Sequence, residues 1–204
     1  MIRLLIVDDH AIVRAGVRRL LAPCDDIACF EAESGEAAVA FVARQPVDIA
    51  VVDLNLPGLG GPEVIRALIR AQADLRVLVF STHAAQIYIA KSLEAGAKGY
   101  LSKNAAPEEL TRAIRAVLQG REYIEAEIAE ALASTTADGS LLALTSRELE
   151  IMRLLAQGRS LTQIAAVLGV AYKTVANTCT HIKDKLGADH TADLIRISMD
   201  GRLI

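Results

Sequence analysis

The feature that most constrains this chain is an alternation of short apolar runs with amphipathic segments, repeated five times over about 120 residues. The first run, Leu4–Val7, stops at Asp8 and Asp9, and it is typical of a strand buried on both faces of a parallel sheet. The segment that follows places apolar residues at helical spacing. Five such strand–helix repeats predict a doubly wound α/β domain with right-handed crossovers.

The remaining repeats follow the same pattern along the chain. Strands are predicted at 28–32, 49–52, 77–80 and 99–101, and helices near 34–44, 62–71, 86–95 and 107–119. We therefore expect a five-stranded parallel sheet in the flavodoxin-like order 2-1-3-4-5, with strands 1 and 3 as neighbours.

The C-terminal part of the chain has a different pattern. Residues 121–143 break the alternation, with a possible short helix at Glu125–Ala133 and a small, polar stretch at Ser134–Ser140. From Thr145 onward there is no strand signal, and helical segments fit 145–157, 161–168, 171–186 and 189–200. The sequence thus predicts a domain at 1–120, a linker at 121–143 and a small four-helix all-α domain at 144–204.

The charge distribution also divides the chain. Residues 1–130 hold 14 Lys/Arg and 18 Asp/Glu, whereas residues 131–204 hold 8 and 7. This asymmetry indicates two domains with different partners. An apolar fraction of 52% excludes wholesale disorder, and no apolar run approaches the ~18 residues of a membrane span. Three cysteines without framework spacing favour a reducing compartment, so we expect a cytoplasmic protein.

Acidic residues follow two of the predicted strands. Asp8 and Asp9 end the first strand, and Asp53 ends the third. In the expected strand order all three carboxylates meet in one crevice, where like charges repel unless a cation compensates them. Oxygen ligands in a shallow site favour Mg²⁺. From these residues alone, three solvated strand-end aspartates remain an equal alternative.

Two further residues extend this edge. Ser81 ends the fourth strand and Lys103 follows the fifth, so both belong at the same carboxyl edge. A lone lysine at a strand end is usually a surface charge. A hydroxyl, an ammonium and a cation around a carboxylate are, however, what an acyl phosphate requires. Matched positions at the ends of four strands therefore favour a phosphorylation site.

Together these motifs resemble the receiver domain of two-component response regulators over roughly residues 1–120. The matching segments are Val7–His10, Asp53–Gly58, Ser81–His83 and Gly99–Lys103. The resemblance implies that Asp53 accepts a phosphoryl group from a sensor kinase histidine.

The same resemblance implies roles for the neighbouring residues. Mg²⁺ would bind Asp9, Asp53 and the backbone carbonyl of Asn55, with Asp8 supporting it through water. Ser81 and Lys103 would contact the phosphate, and Tyr100 would be the aromatic residue that turns inward when Ser81 moves.

A helix-turn-helix pattern lies in the C-terminal region. Thr145 is a plausible N-cap with Glu148 three residues later, which is a capping box. A short helix from Leu161 ends at a turn near Gly169, and a longer helix follows it. A short helix, a tight turn and a longer helix form the helix-turn-helix arrangement of DNA-binding proteins.

The region from Leu144 to about Ile197 resembles the LuxR-type DNA-binding domain, and with the receiver it points to the NarL/FixJ subfamily. The implied motif spans about 160–179, with 171–186 as recognition helix, and Val175, Ile182 and Leu186 should be core. The partners implied are a double-stranded promoter site and, after phosphorylation, a second copy of the chain. Candidates for groove and phosphate contacts are Lys173, Thr174, Asn177, Thr178, His181 and Lys185.

We therefore predict a transcription regulator that is switched by phosphorylation of Asp53 and that is not an enzyme. One alternative is a regulator that binds DNA without phosphate input, or binds protein. A weaker alternative is an aspartate-nucleophile phosphatase. That chemistry needs an acid–base carboxylate two residues past the nucleophile, where this chain has His10 after Asp8 and Asn55 after Asp53.

Overall fold

The computed structural model describes residues 1–83, 85–134, 139–201 and 203, which belong to two compact units. The first unit consists of Met1–Ala84 and Tyr88–Ala131, and the second of Ala85–Ile87 and Leu132–Ile204. Of the polar stretch at 134–140 in the predicted linker, residues 135–138 lie outside the described residues.

Strands and helices alternate through the first unit, as the sequence predicts. The strands are β1 (Ile2–Val7), β2 (Ile27–Ala32), β3 (Ile49–Val52), β4 (Arg76–Ser81), β5 (Gly99–Ser102) and β6 (Tyr123–Ile124). The helices over this part of the chain are α1 (Ala11–Leu21), α2 (Gly35–Arg44), α3 (Gly61–Ala71), α4 (Gln86–Glu94), α5 (Pro107–Leu118) and α6 (Ala126–Ser134). The first residues of α4 and the last residues of α6 are assigned to the second unit.

The predicted strand count is wrong by one. Within the described residues the parallel sheet has six strands in the order β2-β1-β3-β4-β5-β6. The extra strand, β6, lies in the segment assigned to the linker. Its two residues are too short to show a periodic pattern, but their backbone satisfies the edge of β5. Tyr123 N donates to Lys98 O (3.0 Å), and Glu125 N donates to Tyr100 O (3.2 Å).

The central strands are buried on both faces, which explains their continuous apolar sequences. Leu4 and Ile6 of β1 belong to a cluster that includes Val17 of α1 and Ile114 of α5. Leu5 alternates with them along β1, so it points to the opposite face, and it is also buried. This burial fixes the strand register and leaves the strand ends as the place where polar side chains collect.

The second unit is helical. It contains α7 (Gly139–Leu142), α8 (Ser146–Ala156), α9 (Leu161–Val167), α10 (Tyr172–Leu186) and α11 (Thr191–Asp200). Capping boxes begin α8, with Thr145 and Glu148, and α9, with Ser160 and Gln163. The α10 helix ends at Gly187, which adopts the left-handed conformation (φ 63°) that ends many helices.

The core of the second unit confirms part of the predicted helical pattern. Val175 and Ile182 of α10 are buried, whereas Leu186 is only half-buried. In α11, Leu194 and Ser198 face the core. None of the helices in the described part of the chain is long and apolar enough to cross a membrane.

Candidate functional site

The carboxyl edge of the sheet brings the acidic residues together. Asp8 follows β1 and Asp53 follows β3, and these strands are neighbours. The Asp53 backbone N–H donates to Val7 O (2.9 Å), so the parallel pairing continues to the first residue beyond β3. Asp8 and Asp53 are each only 2% exposed. The fold therefore buries two carboxylates side by side.

A lysine links these two carboxylates. Lys103 Nζ donates to Asp8 Oδ2 (2.7 Å) and to Asp53 Oδ2 (2.6 Å). Partial burial by itself lowers the pKa of Lys103, but the hydrogen bonds to Asp53 and Asp8 outweigh it and raise the pKa above its usual value. Lys103 therefore stays charged, and its single positive charge is shared between two negative ones.

The second oxygen of Asp53 is in an unusual position. Asp53 Oδ1 is buried and has no hydrogen-bond partner among the described residues. A buried carboxylate oxygen without a partner is costly, because it loses its hydration and receives nothing in exchange. Such an atom marks a place where an electrophile or a cation fits.

Four side chains with possible metal-ligand atoms lie together at this edge. Ligand atoms of Asp8, Asp9, His10 and Asp53 all lie within 4.8 Å of one another. His10 Nδ1 lies 2.7 Å from Asp9 Oδ1 and 3.4 Å from Asp8 Oδ1. The carboxylate oxygens of this cluster are ligands that suit a divalent cation. The sequence pointed to the aspartates but not to His10, although its position directly after Asp9 was a usable signal.

The hydroxyl and amide side chains lie on the β4 side of the edge. Ser81 is fully buried at the end of β4, and its Oγ accepts from His83 N (3.4 Å). Asn55 Nδ2 donates to Thr82 Oγ1 (3.2 Å), and Asn55 Oδ1 contacts His83 Nε2. The Asn55 side chain is thus held against the loop that follows β4. The role of its backbone carbonyl in binding a cation stays a prediction.

Tyr100 lies inside the unit in this structure. Its side chain is fully buried, and its hydroxyl donates to His83 O (2.6 Å). Burial is the main reason that the pKa of Tyr100 is far above its usual value, and the Asp53 charge raises it further. Tyr100 therefore remains a neutral hydrogen-bond donor that ties β5 to the loop after β4.

The loop after β3 is held by close packing. A Cβ on Gly61 would lie 2.8 Å from Leu54 Cα, so glycine permits α3 to begin against the residue that follows Asp53. The loop that presents Asp53 is thereby anchored.

In the second unit, the residues predicted to contact DNA all lie on α10, but they differ in exposure. Lys173, Thr174, Asn177 and His181 are exposed, whereas Thr178 is half-buried and its hydroxyl donates to Thr174 O (2.9 Å). The remaining candidate, Lys185, is engaged within the unit.

Lys185 Nζ donates to both carboxylate oxygens of Glu148, at 2.9 and 2.8 Å. Sequence reasoning missed this pair, because its members lie 37 positions apart on different helices.

Comparison with known proteins agrees with this architecture. The sequence model of the response regulator receiver domain family matches residues 4–115. The sequence model of the luxR family of bacterial regulatory proteins matches residues 142–198. The chain is 36% identical to the response regulator UvrY of Escherichia coli K12 over 205 residues, which cover 98% of this chain and 94% of UvrY. It is 35% identical to the transcriptional regulatory protein UhpA of the same organism over 202 residues, covering 98% and 100%.

A solved structure of two RcsB dimers bound to two parallel DNAs is also similar. It has a TM-score of 0.63 and 25% identity, and the match covers 96% of each chain. The fold and the acidic edge define a receiver-containing regulator. The chain belongs to the NarL/FixJ family of response regulators, with a receiver domain followed by a LuxR-type domain.

Proposed function

We propose that this chain is a DNA-binding transcriptional response regulator in which Asp53 accepts a phosphoryl group from a histidine of a sensor kinase. The observation that carries the proposal is Asp53 Oδ1, a buried carboxylate oxygen that has no partner among the described residues. Asp53 Oδ2 is held by Lys103, so the free oxygen is the nucleophile. The hydrogen bond to Lys103 fixes the orientation of the carboxylate, and its other oxygen has no partner among the described residues.

The transfer forms a bond between Asp53 Oδ1 and phosphorus while the phosphorus–nitrogen bond to the kinase imidazole breaks. The product is an acyl phosphate with three acceptor oxygens. Lys103 Nζ and Ser81 Oγ are the donors for two of them. The movement of Ser81 toward the phosphate then acts on Tyr100, which hydrogen-bonds the same loop through His83 O.

Mg²⁺ is the cation proposed for this site, with Asp9, Asp53 and the Asn55 carbonyl as ligands and Asp8 as support. When bound, it neutralises charge on the phosphoryl oxygens. The acidic cluster and the unpartnered Asp53 oxygen support this assignment.

We propose no catalytic turnover of external substrates. An aspartate-nucleophile phosphatase needs an acid–base group two residues after its nucleophile. In this chain that residue is Asn55, whose amide does not titrate and is held by Thr82 and His83.

We propose that α9, the turn at Gly169 and α10 form a helix-turn-helix motif at about 160–179, with α10 in the major groove. The exposed side chains of Lys173, Thr174, Asn177 and His181 are the first candidates for contact. Lys185 ranks below them because Glu148 engages its ammonium group. The structure of two RcsB dimers on DNA supports the proposal that this chain also binds DNA as a dimer.

In this proposal residues 1–120 receive the phosphoryl group, 121–143 connect, and 144–204 bind a promoter in the cytoplasm. Phosphorylation shifts an existing equilibrium toward the dimer that binds DNA.

The first test is intact mass and light scattering with Mg²⁺ and a small acyl-phosphate donor. Wild type should gain one phosphoryl group and a larger assembly, and Asp53→Ala should gain neither. Asp74→Ala is the matched control, because Asp74 is exposed and precedes β4 at the opposite edge of the sheet. Equal uptake by Asp53→Ala and wild type would refute the proposal.

The second test is a gel shift against a promoter pool at stated salt concentrations. Lys173→Ala should weaken binding and lower the salt dependence by about one ion, and Asn177→Ala should relax base preference. Arg66→Ala removes one exposed charge from the other unit and should leave binding unchanged. Binding that is equal with and without phosphate would favour the phosphate-independent alternative, and binding to protein alone would reject the DNA assignment.

A further inference from the structure

The residue that follows β6 contributes a side chain to the sheet. Glu125 N donates to Tyr100 O (3.2 Å), which continues the parallel ladder of β5 and β6 by one position. At the next position of such a ladder, Ser102 N would donate to the Glu125 carbonyl. That carbonyl instead accepts from Ala129 N (2.9 Å) in the first turn of α6. Ser102 N donates to Glu125 Oε2 (2.7 Å), so a carboxylate takes the place of a backbone acceptor.

This contact lies directly beside the lysine of the acidic edge. Ser102 precedes Lys103, and Lys103 N donates to Ser81 O (2.9 Å) on β4. The end of β5 is therefore held by β4 on one side and by Glu125 on the other. The Lys103 side chain extends from this backbone to Asp53 Oδ2 (2.6 Å). A displacement of the backbone at Ser102 therefore moves the ammonium relative to Asp53.

We propose that Glu125 is a positioning residue for Lys103, and that it transmits the phosphorylation of Asp53 to the start of α6. The inference rests on the proposed function, because it concerns how the phosphorylation site is held and which element responds to it. Residues from Tyr88 to Ala131 belong to the first unit, so the contact and the start of α6 lie within one compact unit.

The chemistry of the contact suits both roles. A carboxylate that accepts from a backbone N–H makes a charge-assisted hydrogen bond, which is shorter and stronger than a neutral one. Glu125 is half-buried, so its oxygens are partly shielded from water. The side chain of Glu125 holds β5 while its carbonyl holds the first turn of α6. A shift of Ser102 is thus passed to α6 through a single residue.

Phosphorylation changes the surroundings of Lys103. In the unmodified protein its ammonium is shared between Asp8 and Asp53. An acyl phosphate on Asp53 adds about −1.5 to −2 charge and three acceptor oxygens. We expect the ammonium to move toward these oxygens, and the backbone of Ser102 to move with it. Glu125 is the acceptor that this movement pulls on.

The first measurement is amide hydrogen exchange of the unmodified full chain. Glu125→Ala should speed the exchange of Ser102 N–H by about tenfold or more, because this amide loses its acceptor. Glu125→Gln keeps a side-chain oxygen that accepts, and it should restore most of the protection. Glu122→Ala is the matched control, because Glu122 precedes β6 and pairs with exposed Lys98. Equal protection of Ser102 in wild type and Glu125→Ala would overturn the inference.

The second measurement is the rate of phosphoryl uptake from a small acyl-phosphate donor with saturating Mg²⁺, followed by intact mass. Glu125→Ala should slow uptake roughly tenfold because Lys103 is less well placed, and Glu125→Gln should stay within about threefold of wild type. Rescue by glutamine shows that the acceptor oxygen matters, since glutamine lacks the charge. Glu122→Ala should match wild type. Equal rates in Glu125→Ala and wild type would reject the positioning role.

Nuclear magnetic resonance of backbone amides tests the transmission to α6. On phosphorylation of wild type, the amide resonances of Ser102 and Ala129 should both shift. In phosphorylated Glu125→Ala, Ser102 should still respond, whereas Ala129 should keep its position. A response of Ala129 that survives in Glu125→Ala would overturn the transmission.

These measurements also separate the inference from the proposed function. A wild type that takes up no phosphoryl group would refute the proposed function and this inference together. Uptake by wild type that Glu125→Ala leaves unchanged would refute this inference alone.

Discussion

Asp53 in the first unit and Glu148 in the second are both buried carboxylates that hydrogen-bond a lysine, but their second oxygens differ. Both Glu148 oxygens accept from Lys185, and Oε2 also accepts from Thr145 N (2.7 Å). Asp53 shares Lys103 with Asp8, and its Oδ1 has no partner in the described part of the chain.

The difference separates a structural carboxylate from a reactive one. One carboxylate with one ammonium and a capping interaction is balanced, so Glu148 holds α8 to α10. Two buried carboxylates on one ammonium are not balanced, so the receiver carries an electrostatic cost that a cation relieves. Sites that break local rules in this way are expected to be functional.

The largest expected effect comes from Lys103→Met. This change leaves Asp8 and Asp53 buried together without a cation, and we expect a loss of about 3 kcal/mol in the free energy of unfolding of the first unit. Hydrogen exchange of β1 and β3 amides in EDTA measures it, and Mg²⁺ should restore part of the loss. Lys98→Met removes an exposed ion pair with Glu122 and should cost less than about 0.5 kcal/mol. Equal losses of stability in Lys103→Met and Lys98→Met would contradict the conclusion that Lys103 compensates two buried carboxylates.

Glu148→Gln should come next, with a loss of about 2 kcal/mol in the stability of the second unit, because it removes the charge partner of Lys185 and weakens the α8 cap. Hydrogen exchange in α8 and α10 reports the loss. Glu150→Gln is the matched control, since Glu150 pairs with Arg153 one turn away on the same helix and is better hydrated. An equal loss of stability in Glu150→Gln would mean that the buried pair of Glu148 and Lys185 stabilises the unit no more than an ordinary ion pair does.

The stabilising effect of Glu148 should also depend on pH. Burial alone would raise its pKa, but the hydrogen bonds from Lys185 and Thr145 outweigh burial and hold the pKa below the ordinary value of 4.5. A carboxyl group with a lowered pKa stabilises the fold above its unfolded pKa, and this effect is lost as the pH falls through the folded pKa. The stability difference between wild type and Glu148→Gln should stay constant from about pH 7 to 5 and shrink below about 4.5. A stability difference that grows as the pH falls would mean that the pKa of Glu148 is raised in the folded protein, not lowered.

Asp53→Asn should have the reverse effect on stability. Removing one of two like charges relieves repulsion, so the first unit should gain about 1 kcal/mol in EDTA while phosphoryl uptake is lost. Chemical denaturation monitored by hydrogen exchange in β3 tests this gain. A clear loss would mean that Asp53 is balanced as Glu148 is.

The smallest expected effect is that of Ser160→Ala, which removes the N-cap of α9 and should cost about 0.5–1 kcal/mol in the second unit. Ser34→Ala removes the corresponding cap of α2 in the first unit and should cost a similar amount there. Exchange rates at the two helix starts compare them directly. An effect that spreads across the unit border in either variant would argue against independent caps.

Much of the fold followed from local patterns. The β1 run and the capping box at Thr145 are visible because burial and hydrogen bonding act on neighbouring residues. The sixth strand was not visible, because Tyr123 and Ile124 pair only where the edge of β5 is already in place. The ion pair of Lys185 with Glu148 was also missed, because it forms only when α8 and α10, which are far apart in the sequence, pack together.

The candidate site also combines features that are visible in the sequence with features that depend on the folded chain. The sequence by itself determined which residues end the strands, since a strand must stop where its buried apolar run gives way to charge, as at Asp8 and Asp53. Only the tertiary structure decided how those charges are shared. Which carboxylate oxygen Lys103 holds and which oxygen has no partner depend on distances set by packed strands, and electrostatic energies change steeply over such distances.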